Sequence, residues 1–193
     1  MDGRIFDGYA AASNFLAETV AAIPNPDWGM IALDPWDLRM LVGHSNRSHT
    51  QVETYLFDPV EPEPHESPWH SAEQIAERSR LAGIALGDDP ASVIAETSKR
   101  VIGIVADTPG DAPISTPDGS YVLQNYLVSR ICELTIHTLD IVKATGVEVE
   151  APQAAIEETL AALNARLVRR GDGPSVVMAL SGRTPLPLSY SLY

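Results

Sequence analysis

An all-α fold, a four-helix bundle with long crossover connections and a short C-terminal extension, is what the 193-residue sequence predicts. Three observations carry the prediction. Apolar residues recur at helical spacing in segment after segment, the breaks between them are long and rich in proline and glycine, and strand-like alternation is almost absent. With 45% hydrophobic residues, the chain reads as one domain, 1–193, with a sizeable core.

Residues 3–22 make the first helix, carrying Phe6, Tyr9, Phe15, Leu16 and Val20, and it stops before Pro24-Asn25-Pro26. The second is expected to start at Asp34 as N-cap, with Pro35 at the first helical position and Asp37 in the first turn. Its core stripe is Leu38, Leu41, Val52, Tyr55 and Leu56. Residues 57–70 contain four prolines and form an extended connection. Ser71 with Gln74 is a capping-box start for a helix to about residue 86, and Asp89-Pro90 opens another to about residue 106. Alternatively these two are one long helix broken at Gly87-Asp88-Asp89-Pro90. After a linker from Thr108 to Thr116, Thr116-Pro117-Asp118 is expected to start a helix that runs to Thr145-Gly146. Residues 152–170 form a further amphipathic helix, and Val176 to Leu180 supply a last helical turn or two.

The net charge of −13 argues against nucleic acid or an anionic membrane as a partner, because phosphate binding draws on clustered Lys and Arg. One cysteine excludes an intrachain disulfide and points to a reducing compartment. Neither a targeting segment nor a long uncharged apolar stretch is present, so a cytoplasmic protein is expected.

The chemistry concentrates in Arg130-Ile131-Cys132-Glu133-Leu134-Thr135-Ile136-His137-Thr138-Leu139-Asp140. Leu127, Ile131, Leu134 and Ile141 form the apolar stripe of this helix, and Arg130, Glu133, His137 and Asp140 form a polar stripe beside it. Glu133 and His137, one turn apart, offer two metal-ligand groups facing the same way. The plain alternative is an exposed flank of side-chain pairs worth tenths of a kcal/mol. His44, at the edge of the second helix's core stripe with Met40, Arg47, Ser48 and Gln51 around it, is the third candidate ligand. A lone histidine there is more often a hydrogen-bonded core-edge residue. His49 lies on a different side of the helix from His44, and Cys132, adjacent to Glu133 but diverging from it by about 100°, reads as a small packed residue.

Three ordered pieces resemble the mycothiol-dependent maleylpyruvate isomerase metal-binding domain, a branch of the DinB-like superfamily. Trp36 to His44 is similar to its Trp-x-x-x-x-hydrophobic-x-x-His helix, Arg130 to Asp140 to its Arg-x-x-Glu-x-x-x-His-x-x-Asp run, and Gly182-Arg183-Thr184-Pro185-Leu186-Pro187 to its Gly-Arg-x-x-Leu-Pro ending. The resemblance implies a DinB-like bundle in which His44, Glu133 and His137 bind a divalent metal, zinc foremost and nickel as the alternative. It also implies a small thiol such as mycothiol as co-substrate. Asp140 is the choice for orienting a ligand imidazole, with a salt bridge to Lys143 or Arg130 as its other role. Tyr126, Arg130, Met40 and Ser48 are candidates for the surrounding pocket.

The leading expectation is thiol-dependent transfer or isomerisation on an unidentified substrate. The isomerase itself carries a further C-terminal domain, so its substrate is not carried over. One competitor is a metal-dependent hydrolase, needing a base for which Asp140 and Glu53 are the candidates. Another is a non-catalytic module whose fourth metal position is closed by His49, His65 or His70. His65 and His70, flanking Trp69, would line the pocket mouth if their loop folds over it; a homodimer is left open.

Overall fold

The computed structural model describes residues 1–192. Its helices are α1 (Gly3–Ala22), α2 (Leu38–Phe57), α3 (Ala72–Ala85), α4 (Pro90–Asp107), α5 (Leu123–Thr145), α6 (Gln153–Arg170) and α7 (Gly173–Leu180). Two antiparallel hairpins interrupt them, β1 (Ile31–Leu33) with β2 (Trp36–Asp37) and β3 (Pro113–Thr116) with β4 (Gly119–Val122).

Helices α1, α2, α4 and α5 make the bundle. Both α1 and α2 pack against α4 and α5 while barely touching each other, so they lie on a diagonal. The core between them is built from Tyr9, Leu16, Leu41, Val52, Val101, Leu127 and Ile131, all fully buried. This arrangement makes α2 and α5 neighbours. Outside the bundle, α3 lies along α2, and α6 packs on α1 and α5. The approach of α3 to α2 is close because glycines meet: a Cβ on Gly43 would lie 2.3 Å from the Gly83 nitrogen.

Several starts and stops agree with the sequence reading. Ser71 caps α3 by accepting from Gln74 N–H, Asp89 caps α4 by accepting from Ser92 N–H, and Gly146 ends α5 at φ 70°. The α3–α4 alternative resolves as two helices, parted at Gly87, whose φ is 62°.

Two expectations are corrected. The second helix starts at Leu38, with Asp37 as N-cap accepting from Met40 N–H at 2.7 Å, while Asp34 and Pro35 form the turn of the first hairpin. Leu38 and Arg39 donate backbone N–H groups to the Met30 and Trp28 carbonyls, so the hairpin satisfies donors that a helix start leaves open. The fifth helix starts at Leu123, because Thr116-Pro117-Asp118-Gly119 is the turn of the second hairpin. There Thr116 Oγ1 accepts from Asp118 N–H and donates to the Gly119 carbonyl. Proline, aspartate and glycine in that order are turn chemistry as much as helix-start chemistry, and the strand register decides between them. The 57–70 connection is extended as expected, and it ends in a 3-10 turn, Pro68–His70.

Candidate metal centre

The three sequence candidates converge. His44 stands on the second turn of α2, Glu133 and His137 on the middle of α5, and 89 residues separate His44 from Glu133 in the chain. Glu133 Oε2 lies 3.4 Å from His44 Nε2 and 3.5 Å from His137 Nε2, and the three ligand atoms fall within 4.8 Å of one another. A tetrahedral cation with bonds near 2.0–2.2 Å needs ligand atoms roughly 3.3–3.6 Å apart, so the set is close to a coordination geometry before any adjustment.

Both imidazoles are oriented from behind. Ser79 on α3 donates its hydroxyl proton to the Ile75 carbonyl at 2.7 Å, so its oxygen accepts from His44 Nδ1–H at 2.9 Å. Asp140 accepts from His137 Nδ1–H at 3.2 Å. That answers for Asp140 in favour of the imidazole over Lys143 or Arg130. With both Nδ1 atoms committed, each Nε2 faces Glu133, the arrangement a metal-binding histidine requires. Trp36 packs its ring 4.7 Å from that of His44, which explains the tryptophan of the sequence motif as a wall of the site.

The electrostatics match a cation. Burial lowers the His137 imidazole, but the hydrogen bonds to Asp140 and Glu133 outweigh it and hold its pKa up at about 9. Burial raises the Glu133 carboxyl, yet hydrogen bonds from His137 and His44 bring it well below the usual carboxylate range. His44 is lowered, burial being the main cause. A proton held between His137 and Glu133 is therefore what a divalent cation would replace. Two neutral imidazoles and one carboxylate suit zinc or nickel, and nothing in the donor set conflicts with either.

His44 and Glu133 line a cavity of about 220 Å³. Ser48, Gln51 and Tyr55 of α2 line it, and three guanidinium groups, those of Arg47, Arg78 and Arg130, enter it. Asp118 and Glu133 line it too, so three cationic side chains face two carboxylates, an excess of positive charge in a chain of net charge −13. Arg130 donates to Gln51 Oε1 at 2.8 Å and lies over the Tyr126 ring, so it does not hold Glu133 as a salt-bridge partner. Tyr126 sits beneath it, and Met40 is half-buried; neither lines the cavity. Arg78 carries no mark of this role in the sequence. It lies beside Ser79 on α3, a helix with no metal-ligand motif, and only the glycine contact with α2 brings it to the site.

The 57–70 connection folds over the cavity and supplies Trp69 and His70. Trp69 stacks on the Arg78 guanidinium at 3.9 Å and its carbonyl accepts from Arg78 at 2.8 Å, while His70 Nδ1 is 3.4 Å from Asp118 Oδ1 of the second hairpin. The other candidates lie elsewhere. His49 is fully buried, with Asn46 Oδ1 on its Nδ1, and Glu53 grips Arg100 at 2.9 and 3.0 Å. Among the described residues no fourth His, Cys, Asp or Glu joins the three ligands. Cys132 is buried on α5, as its neighbours in sequence imply.

A DinB-like helical bundle with a His–Glu–His cluster between two of its helices is the class that fold and site define. The chain belongs to the mycothiol maleylpyruvate isomerase N-terminal domain family, whose pattern matches residues 9–142, more than two thirds of the sequence and all three cluster residues. Its fold is similar to the crystal structure of the mycothiol-dependent maleylpyruvate isomerase, with a TM-score of 0.61 and 16% identity, over 94% of this chain and 89% of that one. No curated protein matches the chain. Among the described residues no helix is long and apolar enough to cross a membrane.

Proposed function

We propose that this protein binds a divalent metal, zinc foremost, through His44, Glu133 and His137, and uses it to activate a small thiol for transfer to, or isomerisation of, an electrophile that carries a carboxylate. The observation that supports this reading is the convergence of two Nε2 atoms and one carboxylate oxygen beside a cavity lined by three arginines. When bound, a divalent cation favours the thiolate form of a coordinating thiol at neutral pH. The chain's own residues do the rest. Ser79 and Asp140 hold the imidazoles in one tautomer, Arg47, Arg78 and Arg130 attract and orient the anionic electrophile, and Trp69 shields the cavity from water. The hydrolase reading has less support, because its candidate bases are engaged: Glu53 with Arg100 and Asp140 with His137.

Metal analysis of the purified protein beside His44→Ala, Glu133→Ala and His137→Ala tests the first step. One metal per chain, lost in all three variants, is the expected result, and full retention in any of them removes that residue from the site. Thiol consumption with electrophilic acids and their methyl esters tests the second. The acids should react faster, and equal rates would remove the arginines from the reading.

A further inference from the structure

A second cavity meets the first at the same two arginines. It runs between α2, α3 and α4, measures about 460 Å³, and shares Arg47 and Arg78 with the cavity of the metal centre. Its character is the opposite. Leu81, Ala82, Ala85, Leu86 and Val93 make most of its walls, with Asn46, Thr50 and Thr97 as the uncharged polar members, so a predominantly apolar groove is bordered by the two arginines. Leu81 is half exposed at the edge of the groove. Beside the groove α3 lies close against α2 at Gly43 and Gly83, with Ala82 and Ala85 flanking the contact.

The fold leaves part of one of these arginines without acceptors. Nε and Nη1 of Arg78 are buried and donate to nothing, and only its Nη2 is used, on the Trp69 carbonyl. Among the described residues no carboxylate lies within salt-bridge distance of Arg47, Arg78 or Arg130. Buried cationic donors without acceptors are costly, and an anion arriving in the cavity relieves that cost. An anion whose carbon skeleton is apolar also fills the groove behind them.

We propose that the site takes an amphipathic free carboxylic acid, its carboxylate held by Arg47 and Arg78 and its hydrocarbon chain laid in the groove of Leu81, Ala82, Ala85, Leu86 and Val93. That this acid is a substrate rests on the thiol-transfer reading above; that it binds does not. The carboxylate end then faces the cavity that His44 and Glu133 also line, while the chain runs away from it into the groove.

Binding of butyrate, octanoate and 1-octanol to the full-length protein, followed by calorimetry and by Trp69 fluorescence with and without chelator treatment, tests this. Each fully buried methylene multiplies affinity roughly fourfold, so four more methylenes, even half covered, should make octanoate bind more than about tenfold tighter than butyrate. Arg78→Gln should weaken octanoate about tenfold or more and leave 1-octanol unchanged. Leu81→Glu, at a half-exposed position that tolerates charge, should abolish the advantage of octanoate over butyrate. Equal affinity for the two acids, no binding of either, or a chain-length preference that survives Leu81→Glu overturns the proposal. A protein that prefers octanoate but holds no metal would sink the thiol reading alone, and one that holds metal without chain-length preference would sink this inference alone.

Discussion

Replacing Gly43 by alanine tests whether the contact between α2 and α3 holds the site together. A Cβ there would lie 2.3 Å from the Gly83 nitrogen and 2.6 Å from the Ala82 carbonyl carbon, and both are backbone atoms that cannot rotate away. Ordinary contact begins near 3.4 Å, so the helices must separate by about 1 Å. Overpacking of this kind costs about 1–3 kcal/mol, more when backbone must move, while alanine regains up to about 1 kcal/mol of helix propensity. With backbone forced to move, the cost falls in the upper half of that range and a net loss of about 1–2 kcal/mol follows, with a fall in Tm of roughly 2–8 °C for a chain of this size. Function should suffer in parallel, because Ser79, one turn before Gly83, moves off His44 Nδ1 as α3 retreats. Urea unfolding gives the first quantity, and competition for zinc with a chromophoric chelator the second. Gly103→Ala is the control: no atom lies within 4 Å of its added Cβ, so it should stabilise by up to about 1 kcal/mol. Wild-type stability together with wild-type zinc affinity in Gly43→Ala would refute the argument.

Ser79→Ala and Asp140→Asn remove the groups behind the imidazoles and should each lower zinc affinity by about 10–100-fold in the same chelator assay, with little change in the unfolding midpoint. Zinc binding should release a proton and strengthen with pH. His137, raised to about 9, is protonated below that pH, so apparent affinity should rise about tenfold per pH unit up to there and then level, and a flat profile from pH 6 to 8 would contradict it. His49 gives the acid limit of the fold. Burial first, then the Arg100 charge, lowers its pKa to about 3, against about 6.5 in the unfolded chain. The stability it contributes is complete above pH 6.5 and is lost as pH falls toward 3, amounting to several kcal/mol. His49→Gln should flatten that part of the stability profile measured by urea unfolding, whatever it costs at neutral pH.

Helix existence was legible because it is a local property. The periodic stripes of α1, α4, α5 and α6, the caps at Ser71 and Asp89 and the stop at Gly146 depend on residues within a turn or two of one another. The boundaries at Leu38 and Leu123 were not, since Asp34-Pro35 and Thr116-Pro117-Asp118 satisfy helix-start and turn rules alike. Strands as short as β1 and β2 leave no alternation to read. In the site, Glu133 with His137 was visible as an i,i+4 pair, and His44 through its motif, but Arg78 carried no local mark. Its role appears only when α3 folds against α2.

By itself the sequence determined that the chain is helical and acidic, and which side chains offer metal-ligand atoms, because propensity, periodicity and donor type belong to single residues and their near neighbours. Only the tertiary structure decided that α2 and α5 are adjacent, that Ser79 and Asp140 turn both Nε2 atoms toward Glu133, and that three arginines share one cavity. Those are relations between helices distant in the chain, set by how apolar faces pack and by two glycines that let α3 come close, and no short-range pattern encodes them.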